Sequence, residues 1–202
     1  MAVSELDKLI VEHLADIDAA VKRLEALQAE VFGALDSAAT DWARKNGWAG
    51  KFDYLESGLW FAPPEWRVSG TEEDEMKFQA RFEMEVGAGD SQSYKPEEDY
   101  FYLTRLCRAG SGQIGFRFKQ ELITKGQWKR RFKELTYLAE KTAFVADSVP
   151  SFFLPFQVEG AKLAESIQEE AVEMALTHFE NTLTQIIEAR SEFDAVVAAI
   201  KP

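Results

Sequence analysis

Two glutamates and two cations have the residue types and spacing that most suggest chemistry. Residues 76–86 (MKFQARFEMEV) alternate apolar and polar side chains, which predicts a half-buried strand whose solvated face carries Glu83 and Glu85. Residues 113–119 predict a second strand, on which Arg117 and Lys119 also alternate. Two carboxylates and a lysine on adjacent strands are a set that a divalent-metal nuclease could use. Glu83 and Glu85 are therefore the metal candidates, and cross-strand ion pairs are the competing interpretation.

The pattern of one nuclease family can be tested directly on these strands. The set resembles that of the PD-(D/E)xK nucleases, which have an acidic residue two positions before a lysine on one strand. Here Arg117 stands two positions before Lys119, and the other strand has Glu-Met-Glu around position 84. The motif is not met, so cross-strand ion pairs on a solvated face are the favoured interpretation. The chain as a whole resembles no family.

A glycine-rich segment offers a second possible site. Residues 110–115 (GSGQIG) match the GxGxxG pattern, but a dinucleotide fold needs a helix to begin there, and the following residues alternate as a strand. We therefore predict a hairpin turn between strands at 99–107 and 113–119. The phosphate loop GxxxxGK[ST] is absent from the sequence.

Histidine and cysteine are too few for most catalytic or zinc sites. The two histidines, His13 and His178, fall in opposite terminal helices, and the single cysteine, Cys107, has no histidine near it in sequence. We expect surface or interfacial histidines and a packed thiol. The sequence thus predicts no catalytic residue and no cofactor, and it favours a protein that is not an enzyme.

A basic island interrupts the acidic chain, whose formal net charge is −12. Residues 100–140 hold 9 of the 23 basic residues and only 3 of the 35 acidic ones. Such an island could bind phosphate or nucleic acid at short range, although it could equally be a solvated face or meet the chain's own acidic helices. The ligand candidates are Arg105, Arg108, Arg117, Lys119, Lys129, Arg130, Arg131 and Lys133.

The N-terminal residues, up to about Trp42, predict one long helix. Apolar side chains recur in steps of three and four, which is the pattern of a coiled-coil seam over four heptads. Gln28 is the one polar interruption. The seam consists of Ile10, Leu14, Ile17, Val21, Leu24, Val31, Leu35, Ala38 and Trp42.

The C-terminal residues repeat this pattern, with Arg190 as the polar interruption. Because two stripes of similar length stand at opposite ends of one chain, we expect the two helices to pair antiparallel, with Phe179, Leu183 and Ile186 in the seam. The stripe has surplus apolar edge, so a further helix or a second copy of the chain is also expected. Its outer face is acidic and comprises Glu165, Glu169, Glu170, Glu173, Glu180, Glu188 and Glu192.

These elements predict an α+β fold that forms one structural unit. Residues 1–46 are the N-terminal coiled-coil-like helix, 47–158 a central module, and 159–202 a C-terminal helix that packs on the first. The module would hold a small antiparallel sheet, which includes residues 58–61 and 66–68, and a third helix of about 15 residues. That helix is indicated by Trp128, Phe132, Leu135 and Ala139. Residues 144–158 would be an ordered apolar crossing.

The composition of the sequence indicates the compartment in which the protein is expected. No apolar run approaches the roughly 18 residues of a membrane span, and the N-terminus lacks the apolar core of a signal peptide. A single cysteine excludes an internal disulfide and fits a reducing compartment. We therefore expect a cytoplasmic protein without a membrane partner.

The leading hypothesis is a non-enzymatic interaction or adaptor protein. It would self-associate or bind a protein partner through the heptad helices and use an aromatic sheet surface as a second contact. One alternative is a phosphate- or nucleic-acid-binding protein, nuclease-like if Glu83 and Glu85 hold a metal. Another is an acidic inhibitor that imitates nucleic acid through the glutamate-rich helix face.

Overall fold

The alternating residues 76–86 lie at the centre of an antiparallel sheet. The computed structural model describes residues 5–70, 76–87, 99–109, 112–147 and 150–201, and within them the fold is mixed α+β. Six strands pair antiparallel in the order β1-β2-β3-β4-β6-β5. They are β1 (Ala49–Asp53), β2 (Gly58–Ala62), β3 (Ala80–Gly87), β4 (Gln113–Gln120), β5 (Val145–Ala146) and β6 (Phe152–Phe156).

Eight α-helices accompany the sheet within the described residues. They are α1 (Glu5–Glu12), α2 (Leu14–Asn46), α3 (Tyr54–Ser57), α4 (Tyr102–Leu106), α5 (Lys125–Ala139), α6 (Gly160–Gln168), α7 (Thr177–Glu188) and α8 (Arg190–Ile200). Short 3-10 turns at Pro64–Trp66 and Val172–Leu176 connect some of them. The predicted third helix is confirmed as α5, and the capping box formed by Thr124 and Gln127 fixes its start.

The inner face of the sheet is apolar on each of its four central strands, because alternate residues point to the same side. In register, Phe61 pairs with Phe82 and Phe82 with Phe118. All three rings are buried, and helices α2 and α7 pack on the sheet. Phe82 also contacts the rings of Trp48, Trp66, Phe144 and Phe193. Residues from both ends of the chain therefore meet around one phenylalanine.

Helix α2 supplies mainly its second half to this core, together with the half-buried Leu24 and Leu27. Val31, Leu35 and Ala39 are fully buried. Gly47, at φ +70°, ends the helix in the left-handed conformation that glycine adopts without strain, and Trp48 then donates its backbone N–H to the Ala43 carbonyl at 2.9 Å. This turn places Trp48 in the core and starts β1, a strand that the sequence analysis missed.

The predicted strand at 99–107 is wrong. Residues 102–106 form the short helix α4, so the predicted hairpin is absent and β4 pairs instead with β3 and β6. Leu103 and Leu106 are both buried, and their spacing of three is the helical one. Gln28 of α2 accepts the backbone N–H of Tyr102 through Oε1 at 2.7 Å, which satisfies a donor at the start of α4. Gly110 and Ser111 of the predicted turn lie outside the described residues.

The C-terminal helix is not the continuous rod that was expected. It is divided into α6, a 3-10 turn, α7 and α8. Glu170, at φ +54°, is in the left-handed conformation just after α6, and Ala171 then donates its backbone N–H to the Ser166 carbonyl at 2.8 Å. The boundary between α7 and α8 is at Ala189, although the backbone hydrogen bonds from Ala189 N to Gln185 O and from Phe193 N to Ala189 O, at 3.0 and 3.2 Å, continue across it. Arg190 contacts Glu65 at 2.7 Å. Arg190, the polar interruption of the seam, thus contacts the turn at Pro64–Trp66.

The lengthwise pairing of the terminal helices is likewise not seen. The second half of α2 contacts α7 and the turn before it, whereas α1 contains no buried residue and the first turns of α2 stay exposed. The seam residues Phe179, Leu183 and Ile186 are buried in the chain's own core. One helical stripe is therefore covered at one end and open at the other.

Residues 144–158, expected as an apolar crossing, contribute β5 and β6. Gly115 of β4 lies beneath β6, where an added Cβ would be 2.8 Å from Pro155 Cα and would overlap the Leu154 carbonyl and the Phe153 ring. Only glycine fits there without a shift of the neighbouring strand.

A matched pair of glycine substitutions tests this close packing. Gly115→Ala should lower the free energy of unfolding by about 1–3 kcal/mol, because the overlap forces β6 away from β4. Gly126→Ala in α5 meets open space and should be neutral or stabilising by up to about 1 kcal/mol. Urea denaturation of both variants measures the difference, and equal effects would contradict the assigned packing.

Candidate interaction surfaces

An uncovered apolar stripe runs along α1 and the first two turns of α2. The exposed fractions of the seam residues are 39% for Ile10, 60% for Leu14, 36% for Ile17 and 37% for Val21. Three flanking side chains widen the stripe and are also exposed, namely Leu6, Leu9 and Val11. Folded proteins seldom leave so many large aliphatic side chains exposed on one helix, so this stripe is the first candidate interaction surface.

The stripe ends where the chain's own core begins. Leu24 and Leu27 are half-buried, and Val31 is fully buried one turn further on. Gln28, the polar residue in the seam, is explained by its hydrogen bond to Tyr102. The heptad seam is thus one continuous feature, of which residues 24–42 are covered by this chain and residues 10–21 are not.

His13 marks a slight break in the projecting helix. Its φ of −114° separates α1 from α2, yet the backbone hydrogen bonds from His13 N to Leu9 O and from Ile17 N to His13 O remain, at 3.1 and 3.0 Å. Its ring Nδ1 lies 3.7 Å from Asp16. The apolar stripe therefore runs without interruption past this residue.

The outer face of the sheet is a second distinctive surface, because charges of alternating sign line up across it. We call this set the charged ladder. Glu83 contacts Arg81 at 2.8 Å and Lys119 at 3.1 Å, and Lys119 also contacts Glu85. Arg117 contacts Glu85 at 2.9 Å and Asp147 at 2.7 Å. Glu121 extends the far end through Arg81. Each internal member of the ladder thus has an opposite charge on both sides.

Aromatic rings flank the charged ladder on both sides. The guanidinium of Arg81 lies 5.7 Å from the Trp60 ring centroid, and that of Arg117 lies 4.9 Å from the Phe153 ring. In register, Trp60 pairs with Glu83, Glu83 with Arg117, and Arg117 with Phe153. The ion pairs between β3 and β4 are diagonal, since Arg117 contacts Glu85 and Lys119 contacts Glu83, each two positions from its partner in register.

The metal candidates Glu83 and Glu85 lie in this ladder, with their carboxylates held by cations. Burial raises the pKa of Glu83, but the hydrogen bonds from Arg81 and Lys119 outweigh it, and the pKa ends below its ordinary 4.5. Within the ranges that the structure describes, no group of three or more His, Cys, Asp or Glu side chains could hold a metal ion. The arrangement is that of cross-strand ion pairs.

The basic island is distributed over several elements with different surroundings. Arg105 is buried in α4, where its guanidinium stacks over the Tyr102 ring at 4.9 Å. Arg108 follows that helix at φ +50°. Arg117 and Lys119 belong to the charged ladder. These four residues are therefore separated in role from the cations of α5.

The cations of α5 remain on the solvent side of the helix. Lys129, Arg130 and Lys133 are exposed and, within the described part of the chain, have no ion pair. Arg131 pairs with Glu134 at 2.9 Å and donates to the Ala199 carbonyl at the end of α8 at 3.1 Å. A shallow cavity of about 400 Å³ between these helices is lined by Arg130, Arg131 and Lys201.

The remaining candidate groups have local partners. His178 lies 3.2 Å from Glu159 on the surface. Burial raises the pKa of the half-buried Cys107 thiol, which keeps it in the protonated, less nucleophilic form. Of the aromatic residues expected as a second binding surface, Trp48, Phe61 and Trp66 are core residues. The glutamate-rich C-terminal face is largely exposed, as expected.

Comparisons with known proteins do not identify the chain. No protein-family model matches it, and no curated protein or solved structure shows significant similarity. Among the described residues, no helix is both long and apolar enough to span a bilayer.

The sequence analysis predicted the apolar stripe and four members of the charged ladder, but it did not predict the residues at which the stripe and the ladder end. Asp147 lies outside every sequence pattern and reaches Arg117 only because β5 returns beside β6. The boundary at Leu24 depends on which helices pack on α2. A weak signal for it was Gln28, the polar residue at a seam position.

The ladder makes a testable prediction about acid stability. Lys119→Met removes the cation that Glu83 and Glu85 share, so the pKa of Glu83 should rise towards or above its ordinary 4.5. A carbon-13 NMR titration of the Glu83 carboxyl measures it.

The sign of the stability effect follows from the lowered pKa of Glu83. Its contribution is fully present above about pH 4.5 and is lost as the pH falls through the folded-state pKa. In Lys119→Met this contribution should therefore shrink or disappear, so that the stability falls less as the pH drops below about 4.5. Lys133→Met, which removes an exposed unpaired cation, is the control, and an unmoved Glu83 titration in Lys119→Met would contradict the ladder.

Proposed function

We propose that this protein is a non-enzymatic interaction protein that associates by coiled-coil pairing of its projecting N-terminal helix. The observation that carries the proposal is the exposed apolar stripe from Leu6 to Val21, which continues a seam that the chain itself covers from Leu24 onward. A partner helix on the stripe would complete the seam.

The energetics of the stripe favour a bound state. Burying a large aliphatic side chain contributes roughly 1.5–3 kcal/mol, so several must act together to offset the roughly 4–15 kcal/mol lost on association. Seven such side chains lie on one helical segment. The stability of a helix in a protein comes mainly from packing its apolar face against other elements. Without a partner, the exposed N-terminal helix lacks this contribution along its stripe.

The side chains whose types suit catalysis or metal binding make structural contacts, and this supports the proposal. Glu83 and Glu85 are held between cations, Arg105 is buried against an aromatic ring, and burial holds Cys107 protonated. Most of the aromatic side chains are buried in the core. The proposal therefore depends on the exposed stripe of the N-terminal helix and does not include an aromatic sheet surface.

A charge-matched pair of variants tests the association. Leu14→Glu with Ile17→Glu places two negative charges in the stripe and should abolish association, since burying an unpaired carboxylate is prohibitive. Ala15→Glu with Ala19→Glu adds the same charge on the opposite side of the helix and should leave association intact. Sedimentation velocity of the full chain and quantitative affinity purification, each on wild type and both variants, measure the difference.

Both variants should keep the folding stability of the wild type within about 0.5 kcal/mol, because the substituted positions are exposed. The supporting result is a stoichiometric partner, either a second copy or another protein, that is lost only in the stripe variant. The mass of a single chain at micromolar concentration, together with no partner that depends on the stripe, overturns the proposal.

A second candidate function is supported by the unpaired cations of α5. Lys129, Arg130 and Lys133 present positive charge to solvent on one helix, a suitable surface for phosphate groups. In this function the chain binds a polyanion such as single-stranded nucleic acid, despite its net acidity.

Salt dependence and charge reversal test this second function. The affinity for a fluorescent single-stranded oligonucleotide should fall steeply with salt and fall further in Lys129→Glu with Lys133→Glu. Lys45→Glu with Lys51→Glu makes the same charge change at exposed positions elsewhere and is the control. Equal affinity for the two double variants contradicts a site on α5.

A further inference from the structure

We propose that the occupant of the stripe is a second copy of this chain, whose N-terminal helix runs antiparallel to the first. This inference rests on the function proposed above and names the partner for that same surface. It follows from the position of the open stripe, the place where it ends, and the charged residue Asp7, which lies one heptad before Leu14.

The seam residues pair completely in one antiparallel register. Ile10 lies opposite Val21 of the partner subunit and Leu14 lies opposite Ile17 of the partner subunit, and two-fold symmetry repeats both pairs. All four exposed seam residues thereby meet large aliphatic side chains. The centre of symmetry lies between positions 15 and 16, in the middle of the uncovered segment.

The length of the uncovered segment matches this arrangement. With the centre between positions 15 and 16, the partner's helix at Glu5 reaches the level of position 26. The chain's own core begins to cover the seam at this point, since Leu24 and Leu27 are half-buried and Val31 is fully buried. The partner's helix and the chain's own core therefore cover consecutive parts of the seam.

A parallel pair would conflict with the same two features. Each seam residue would then face its own copy, so Asp7, one heptad before Leu14, would meet Asp7 of the partner subunit. Beyond Leu24 the partner helix would also run into the seam that is already occupied by α7 and the turn before it. In the antiparallel register Asp7 lies instead opposite Leu24 of the partner subunit, at the end of the seam.

The charges that flank the seam are compatible with the antiparallel pair. Along each edge, Val11 lies near Asp18 of the partner subunit, and His13 lies near Ala20 of the partner subunit. Asp18 already pairs with Lys22 of its own helix at 2.7 Å. No two like charges face each other along the four central layers.

Disulfide trapping distinguishes the two orientations. In a Cys107→Ala background, the full chain carries either Ile10→Cys or Val21→Cys, and one of the two chains has a tag that changes its size. In the antiparallel pair, positions 10 and 21 are opposite each other, whereas the two copies of position 10 are about 16 Å apart along the axis. A disulfide needs Cα atoms within about 4.4–6.8 Å.

The expected result is therefore a cross-link in the mixture and almost none in either variant alone. Oxidation of the mixed sample should yield a dimer containing one chain of each kind, at least about tenfold above the self-linked dimer of either variant. Self-linking of each variant alone, with no excess in the mixture, indicates a parallel pair and overturns the inference. Circular dichroism and the thermal midpoint check that both exposed substitutions leave the fold unchanged.

Sedimentation velocity separates the failure of this inference from that of the proposed function. A dimer that dissociates on dilution and is lost in Leu14→Glu with Ile17→Glu supports the inference. A single chain that nevertheless binds another protein through the stripe overturns the self-pairing and leaves the proposed function intact. A single chain without any partner that depends on the stripe overturns both.

Discussion

The fold depends on the burial of one face of the sheet beneath helices from both ends of the chain. Phe82 is the centre of this contact, with rings from β2, β4, α8 and the loops around it. Because side chains alternate along a strand, burying Phe82 and Met84 sends Glu83 and Glu85 to the opposite side. The apolar core and the charged ladder are therefore two results of a single alternation.

The same constraint limits how much of α2 the chain can cover. The sheet, α7 and the turn before it occupy the second half of the 33-residue helix, which is about 50 Å long. The residues up to Val21 extend past the end of the core, so their apolar side chains stay in water. An exposed stripe that continues a buried seam is what the proposed association would complete.

The sequence predicted those features that local periodicity determines. The α+β class, the helix α5, the long N-terminal helix and the alternation along β3 all follow from spacing alone. The strand predicted at 99–107 is wrong because a short apolar segment fits a helical turn as well as a strand. The helix α4 buries both Leu103 and Leu106, which lie three positions apart. The lengthwise pairing of the terminal helices is not seen in the structure. Periodicity predicts that an apolar stripe is buried, but it does not identify the element that buries it.

The ends of the sheet have a consequence for the behaviour of the protein at high concentration. An unpaired strand edge can add a strand from another molecule and so begin aggregation. Here the outermost strand beside β6 is β5, which has only two residues, and the opposite edge strand β1 carries Lys51 and Asp53. A short edge and a charged edge both disfavour growth of the sheet by addition of further strands.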